Sequence, residues 1–370
     1  MLPVHSLVVI KLTVRRTLAS FPGIISLVTM VTARRYFVTK HFEGDPKRSD
    51  FKLVEYELPK LRDGDILVKV EWVSVDPYMR AYNNRYIVPY KEFGYQIGII
   101  QESKNPDYPV GTRIVSHQGW CDYYVMNPDI KTGQYDFGLV DFGHYKLPDL
   151  QGLPISYGIG VIGMPGATAY FGLLEICKPK AGETVVVTTA AGGVGSIVGQ
   201  IAKIMGCRVI GFTRNDEKVQ WLEKGLGFDR AFNYQTVDVT AALKNAAPDG
   251  VDCYFDNVGG DLSFLIMNQM NTCGRVAICG SACSYNDDPS KMTQTTILQP
   301  LILSKQLKVE GFVVFRWSER WPEAFEQLIK WIKSGQLKVR EQITEGLDNV
   351  FDAFYSMLSG KNFGKAVVKV

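Results

Sequence analysis

The residues with the clearest chemical potential are the glycines of the segment 190–195, which reads AAGGVG. A β-branched run at 185–187 precedes it and predicts a buried strand, and apolar residues then recur at helical spacing between 198 and 205. A glycine turn between a strand and a helix lets a pyrophosphate approach the backbone and the free N–H groups of the helix start. The segment therefore predicts a dinucleotide-binding turn of the form A-x-G-x-x-G, and the alternative is a glycine turn without a ligand.

The residues after the second predicted strand, 208–212, indicate which dinucleotide binds. A site for NAD needs a carboxylate at the tip of this strand, for the ribose 2′-hydroxyl. The tip here reads Thr213-Arg214-Asn215, with Lys218 one helical turn later. Asp216 and Glu217 are acids of a first helical turn, where the helix dipole favours them. A cationic tip without an acid suits a 2′-phosphate, so the sequence favours NADP(H).

Composition sets limits on the class of protein. The chain has 370 residues, 46% of them hydrophobic, and a formal charge of only +3, which predicts two globular domains and does not point to a nucleic-acid or membrane partner. It has seven cysteines, with no Cys-x-x-Cys pair, and four histidines. Reduced thiols in an intracellular compartment and no bound metal are the expectations.

The first 29 residues differ from the rest of the chain. They contain Lys11, Arg15 and Arg16 among apolar residues and have no acid, a composition typical of a mitochondrial transit peptide. The apolar runs 6–10 and 24–28 are too short to span a bilayer. The alternative is an extension without function, with Met30 as the working start. A cytoplasmic location is expected, or a mitochondrial one if residues 1–29 act as a targeting segment.

Three further regions follow the extension. Residues 30–164 contain short alternating strands between Pro, Gly and Asp turns, which predicts an antiparallel β-rich domain shaped as a partly open barrel. Residues 165–320 alternate strands and helices, as in a doubly wound parallel Rossmann sheet. Residues 321–370 contain two amphipathic helices and a final strand. The predicted fold class is α/β.

Several sequence blocks carry a family resemblance. They are VDPYMR at 75–80, GMPGATAYFGLL at 163–174, the glycine fingerprint, DCYFDNVGG at 252–260, FVV at 312–314 followed by Arg316-Trp317, and NFGKAVV at 362–368. From Met30 to Val370 the chain resembles the zinc-independent branch of the medium-chain dehydrogenase/reductase superfamily, in particular its prostaglandin reductases, also known as leukotriene B4 12-hydroxydehydrogenases, and alkenal double-bond reductases. The Gly-His-Glu segment and the cysteine ligands of the zinc-dependent branch are absent.

The resemblance implies a GroES-like substrate domain, an inserted Rossmann domain and a chain end that returns to the first domain. It also implies a homodimer in which 309–315 extends the sheet across two chains. The cofactor-binding residues that it implies are Thr168, Gly192, Gly193, Val194, Gly195, Lys218, Tyr234, Asn257, Cys279, Gly280, Ser281, Ala282, Cys283, Ser284, Tyr285, Phe312, Val313, Val314 and Asn362.

Some of these positions have plainer interpretations. Lys218 could be a solvated helix lysine, Tyr234 could cover the sheet edge, Cys279 could be a small buried apolar group, and Asn257 could be a turn residue.

The activity implied by the resemblance is NADPH-dependent reduction of the carbon–carbon double bond of enones and enals. 15-Oxo-prostaglandins and 2-alkenals are the implied substrates, with oxidation of the 12-hydroxyl of leukotriene B4 as a further reaction. Tyr285 is the candidate catalytic residue, as a donor to the oxyanion, although water could supply the proton. Tyr78 and Arg80 are candidate substrate contacts; the alternatives are a structural anchor for Tyr78 and a buried carboxylate partner for Arg80.

The sequence also departs from the family pattern. The segment 286–301 lacks the proline-rich run of the prostaglandin enzymes, Ser304 replaces a tyrosine of some relatives, and Gly193 stands where relatives have alanine. These changes leave open whether the substrate is an eicosanoid or a general alkenal. The remaining alternatives are a quinone reductase and a non-catalytic, crystallin-like NADPH-binding protein.

Overall fold

The computed structural model describes residues 32–130, 143–287 and 296–370. The predicted targeting segment at 1–29 and part of the divergent segment 286–301 lie outside the described residues.

The strands are short, and most lie where the sequence alternates or is continuously apolar. They are β1 (Thr32–Val38), β2 (Phe51–Glu57), β3 (Ile66–Ser74), β4 (Tyr90–Lys91), β5 (Gln96–Ser103), β6 (Arg113–Ser116), β7 (Tyr123–Met126), β8 (Tyr145–Lys146), β9 (Thr184–Thr188), β10 (Arg208–Thr213), β11 (Arg230–Asn233), β12 (Val251–Asp256), β13 (Met270–Ile278), β14 (Lys308–Gly311), β15 (Glu341–Glu345) and β16 (Lys365–Lys369).

The α-helices are concentrated in the second half of the chain. They are α1 (Tyr78–Ala81), α2 (Met164–Phe171), α3 (Gly195–Ile204), α4 (Asp216–Gln220), α5 (Val239–Ala246), α6 (Gly260–Met267), α7 (Gln299–Ser304), α8 (Trp321–Lys333) and α9 (Val350–Leu358). α2 and α4 continue into single π-helical stretches, at Gly172–Cys177 and Trp221–Gly225. Among the described helices, none has the length and apolar character needed to cross a bilayer.

The β-rich part contains two sheets. A three-stranded sheet has the order β2-β1-β4, and a seven-stranded sheet has the order β15-β16-β3-β5-β6-β8, with β7 also paired to β3. All pairs are antiparallel except β15 with β16. Their shared core contains the fully buried Val68, Ile100 and Trp120. The expected antiparallel β-rich domain is confirmed.

The second sheet is parallel and has the order β11-β10-β9-β12-β13-β14. Side chains alternate across its faces: Val185 and Val187 pack with α3 on one side, and Val186 packs with α5 and α6 on the other. Both faces are therefore covered, which is why all of β9 is buried and its three central residues are valines. The doubly wound Rossmann sheet is confirmed.

The C-terminal region contributes to both cores. α8 packs into the apolar cluster beside the parallel sheet, while α9 packs with the β-rich core. β16 then pairs antiparallel with β3, with Val368 opposite Val73. The end of the chain thus completes a sheet that begins near residue 66. The boundaries at 164/165 and 320/321 stay predictions.

Candidate active site

The glycine turn connects β9 to α3 with almost no side-chain bulk. A Cβ atom on Gly195 would lie 2.4 Å from the carbonyl oxygen of Thr189, so the helix start packs directly on the turn. Gly192 and Gly193 are partly exposed, and Gly192 forms a bridge with Gly364 near the end of the chain. A cradle of bare backbone at a helix N-terminus fits a pyrophosphate.

The tip of β10 carries two cations without an acid. Arg214 Nε donates to the Tyr234 hydroxyl at 2.6 Å, and Lys218 Nζ donates to the Gly360 carbonyl at 2.7 Å. Within the described ranges, neither cation has a carboxylate partner. Burial, and then the charge of Arg214, lowers the pKa of Lys218 to about 8. Two cations that repel each other and have no counter-charge are suited to a 2′-phosphate.

The two acids beside this tip do not enter the site. Asp216 accepts a hydrogen bond from Asn233 Nδ2 at 3.0 Å, and Glu217 is an exposed residue in the first turn of α4. Asn215 caps α4, because its side-chain oxygen accepts the Lys218 N–H at 2.8 Å. The geometry agrees with the sequence argument for a phosphate over a ribose hydroxyl.

The loop 279–285 follows β13 at the carboxyl edge of the parallel sheet. The Cys279 and Gly280 N–H groups donate to the Asp256 carbonyl at 2.8 and 3.2 Å, which joins this loop to the end of β12. Burial raises the pKa of the Cys279 thiol to about 12, so this sulfur behaves as a small apolar group. Tyr285 folds back, and its hydroxyl accepts the Ser281 N–H at 3.2 Å.

Tyr285 is held protonated at neutral pH. A phenol of ordinary pKa is already protonated at this pH, and burial raises the pKa of the Tyr285 phenol further, to about 12. A protonated phenol beside a sheet edge can donate a hydrogen bond to an oxyanion.

Asn257 ties two strand ends together. Its side-chain amide donates to the Thr188 carbonyl at 2.7 Å, and its backbone N–H donates to the Thr188 hydroxyl at 2.9 Å. The neighbouring Asp256, which sequence reasoning missed, is buried and accepts the N–H groups of Val258 and Gly259 at 2.9 and 3.0 Å. The available signal was an acid that ends an apolar strand just before two glycines.

Some of the other predicted cofactor residues use their side chains locally. Thr168 Oγ1 donates to the Met164 carbonyl at 2.7 Å, and Asn362 Nδ2 donates to the Gly364 carbonyl at 2.9 Å. Their roles toward a cofactor stay predictions.

The segment 312–314 presents only its middle residue outward. The Phe312 ring packs at 6.1 Å from Phe255, Val314 is buried, and Val313 is 52% exposed. The predicted strand over 309–315 is shorter in the structure, because β14 ends at Gly311 and a 3₁₀ helix begins at Val314.

The two predicted substrate residues lie on α1. The Tyr78 ring stacks on Phe93 at 5.9 Å, its hydroxyl lies 3.4 Å from Nε2 of His117, and burial raises its pKa well above 10. Arg80 donates to the Asn286 side-chain oxygen and to the Gly44 carbonyl, each at 2.9 Å. In the part of the chain that the structure describes, Arg80 thus contacts neutral oxygens and not the buried carboxylate that was the alternative. The Asn286 contact brings α1 next to the end of the 279–285 loop.

Among the described residues, no group of three or more His, Cys, Asp or Glu side chains is placed to hold a metal ion.

Comparison with known proteins agrees with this geometry. The family described as "Zinc-binding dehydrogenase" matches residues 193–334, and "N-terminal domain of oxidoreductase" matches residues 34–132. The chain is 45% identical to "Prostaglandin reductase 1" of Bos taurus, over 92% of this chain and all of that protein. It is 35% identical to "2-alkenal reductase (NADP(+)-dependent)" of Nicotiana tabacum, over 92% of this chain and 98% of that protein.

A solved structure is similar over nearly the whole described chain. CurA from Vibrio vulnificus in complex with NADPH superposes with a TM-score of 0.81 at 32% identity, over 91% of this chain and 99% of that one. Together, the sequence and structural matches show that the chain belongs to the medium-chain dehydrogenase/reductase superfamily, in the branch of the prostaglandin and alkenal reductases.

Proposed function

We propose that this protein reduces the carbon–carbon double bond of α,β-unsaturated ketones and aldehydes with NADPH. The observation that carries the cofactor assignment is the pair Arg214 and Lys218, two cations at the tip of β10 without a carboxylate partner in the described chain. The bare glycine turn at 192–195 provides the adjoining pyrophosphate cradle. The named activities of the prostaglandin and alkenal reductases supply the reaction class.

The chemistry requires few side chains. NADPH supplies a hydride when bound, and the substrate carbonyl gains negative charge as its β-carbon is reduced. The chain must orient the enone and place a hydrogen-bond donor at the developing enolate oxygen. We assign the Tyr285 phenol, which is protonated at neutral pH and lies in the loop after β13, to this oxygen. Water supplies the proton to the α-carbon.

The substrates that we propose are 15-oxo-prostaglandins and 2-alkenals, with oxidation of the leukotriene B4 12-hydroxyl as a further reaction. The experiment follows NADPH oxidation with a 15-oxo-prostaglandin, a 2-alkenal and a simple quinone, and identifies each product by mass spectrometry. A saturated product from the prostaglandin supports an eicosanoid enzyme, and a product from the alkenal alone supports a detoxifying reductase. Oxidation with the quinone alone supports a quinone reductase. NADPH binding without any turnover supports the non-catalytic alternative.

A homodimer through β14 is part of the proposal. β14 is the edge strand of the parallel sheet. Leu303 precedes it in the sequence and Val313 follows it, and these side chains are 81% and 52% exposed. An exposed strand edge with apolar neighbours is normally covered. Sedimentation analysis of the wild type and of Leu303→Asp tests this, because the variant should shift a dimer toward the monomer, whereas Ile87→Asp, at another exposed apolar position, should not.

The state of the cysteines bears on the cellular location of the protein. All seven cysteines are free, as expected for a reducing compartment such as the cytoplasm or the mitochondrial matrix. A cytoplasmic location is favoured, and microscopy of a tagged full-length chain against a chain that starts at Met30 decides between them.

A further inference from the structure

A short segment near the end of the chain contacts successive parts of the proposed dinucleotide site. Gly360 accepts the Lys218 ammonium at 2.7 Å, beside the proposed 2′-phosphate position. Four residues later, the Gly364 N–H donates to the Ala191 carbonyl at 2.9 Å, in the glycine turn. We call residues 360–365 the C-terminal bridge.

The last residue of the C-terminal bridge makes a buried ion pair. Lys365 Nζ lies 3.1 Å from Oδ1 of Asp76, and the side chains of both residues are less than a tenth exposed. The same ammonium donates to the carbonyls of Val75 and Ala366, each at 2.8 Å. Its three N–H groups thus have three acceptors, so the cation is fully satisfied away from water.

Asp76 in turn fixes the start of α1. Its carboxylate accepts a hydrogen bond from the Ser74 hydroxyl, and its backbone carbonyl accepts the Met79 N–H at 3.2 Å. The turn that Lys365 holds is therefore the one that carries Tyr78.

The aliphatic stem of Lys365 lies against the other side of the cleft. A Cβ atom on Gly193 would come within 3.1 Å of Lys365 Cδ, so the glycine turn rests on this side chain. One residue thus touches the pyrophosphate cradle with its stem and the Tyr78 turn with its ammonium. We propose that Lys365 is a positioning residue that holds the Tyr78 turn in register with a dinucleotide bound at 192–195. This inference rests on the proposed function for the identity of the dinucleotide and of the substrate.

The chemistry of the contact supports a geometric role. Replacing a whole buried ion pair by apolar side chains of the same size is often neutral or stabilising, so the pair is not needed for net stability; removing one partner alone leaves an unpaired buried charge and is destabilising. Unlike an apolar contact, the Lys365 ammonium restricts distance and direction at three oxygens at once. The start of β16 and the Tyr78 turn are thus joined by a contact that fixes both distance and direction.

The test compares Lys365→Met with Lys369→Met. Lys369 lies on the same strand and is exposed, and its ammonium lies 3.8 Å from a carboxylate oxygen of Glu345. For Lys365→Met we expect the enone kcat/KM to fall about tenfold or more, while the NADPH Kd changes by less than about threefold. Hydrogen exchange of residues 74–86 should slow on NADPH addition in the wild type and in Lys369→Met, and not in Lys365→Met.

Two further variants keep the test decisive if Lys365→Met does not fold. Asp76→Asn keeps one side-chain oxygen that can accept from Lys365 but removes the charge, and it should show the same split in weaker form. Lys365→Arg keeps the charge but replaces a compact ammonium with a larger planar group, so its activity should lie between those of the wild type and Lys365→Met.

Three results would overturn the inference. The first is equal kcat/KM in Lys365→Met and Lys369→Met. The second is a loss of NADPH affinity in Lys365→Met as large as its loss of kcat/KM. The third is no NADPH-dependent protection of 74–86 in the wild type. Absence of enone turnover in the wild type would remove the proposed function instead, and the exchange measurement would still decide the role of Lys365.

Discussion

Lys218 and Gly360 are joined by a 2.7 Å hydrogen bond from the Lys218 ammonium to the Gly360 carbonyl, across 142 residues of sequence. The ammonium also lies 5.5 Å from the ring centroid of Phe363. This contact holds a buried cation at the tip of β10 without neutralising it. It leaves the full charge of Lys218 available to a phosphate.

Lys218→Met should therefore weaken the preference for NADPH over NADH. A charged hydrogen bond is worth about 1.5–3 kcal/mol, so the KM for NADPH should rise roughly tenfold to a hundredfold. The KM for NADH, which lacks the phosphate, should hardly change. Steady-state kinetics with both nucleotides measures this, with the exposed Lys224→Met as a control. Equal losses with both nucleotides would contradict a 2′-phosphate role.

The affinity for NADPH should also depend on pH through the same lysine. The lowered pKa of about 8 means that Lys218 of the free enzyme loses its charge as the pH rises through 8. Binding of a dianionic phosphate favours the protonated form, so the NADPH affinity should be highest below pH 8 and should fall above it. Titration of Kd against pH tests this. The fall should be missing in Lys218→Met and with NADH as ligand.

Gly195 and Gly311 differ in the space that each leaves for a side chain. Gly195→Ala places a methyl group 2.4 Å from the Thr189 carbonyl, so the turn must open, at a cost of about 1–3 kcal/mol and with a weaker pyrophosphate cradle. Gly311→Ala meets nothing within 4 Å in the described part of the same chain and serves as the steric control; because Gly311 ends the proposed dimer strand β14, sedimentation first checks that this variant keeps the oligomeric state of the wild type. The melting temperature and the NADPH affinity should both fall for Gly195→Ala and stay unchanged for Gly311→Ala. If Gly195→Ala is destabilised but binds NADPH with an unchanged Kd, the turn does not bind the cofactor.

Sequence patterns predicted the elements more completely than the contacts between them. β9 and α3 follow from local signals: three valines, a glycine turn and apolar residues at helical spacing. The phosphate-binding role of Arg214 and Lys218 is predicted from the sequence because no acid stands at the end of β10.

The long-range contacts carry no such signal. The sequence around Lys365 predicts a strand and nothing more. The pairing of β16 with β3 is what brings Lys365 close to Asp76. The sequence predicts a longer strand than the structure shows, because apolar residues continue to 315. In the structure β14 ends at Gly311, and the buried Val314 begins a 3₁₀ helix.

The proposed role of Tyr285 makes the last prediction. Tyr285→Phe removes the hydroxyl that would stabilise the enolate oxygen, and loss of one such donor costs about a hundredfold to a thousandfold in kcat in other enzymes. Because water also reaches this loop, we expect a smaller loss, on the order of tenfold to a hundredfold.

The NADPH Kd should stay nearly constant, since the hydrogen bond that the Tyr285 hydroxyl makes among the described residues comes from the Ser281 N–H, which water can satisfy. Tyr355→Phe, at an exposed tyrosine on α9, is the matched control. The rate of the wild type should show no ionisation of Tyr285 near neutrality, because the pKa of the phenol is about 12. An unchanged kcat in Tyr285→Phe would mean that water or the bound cofactor, and not this phenol, stabilises the enolate.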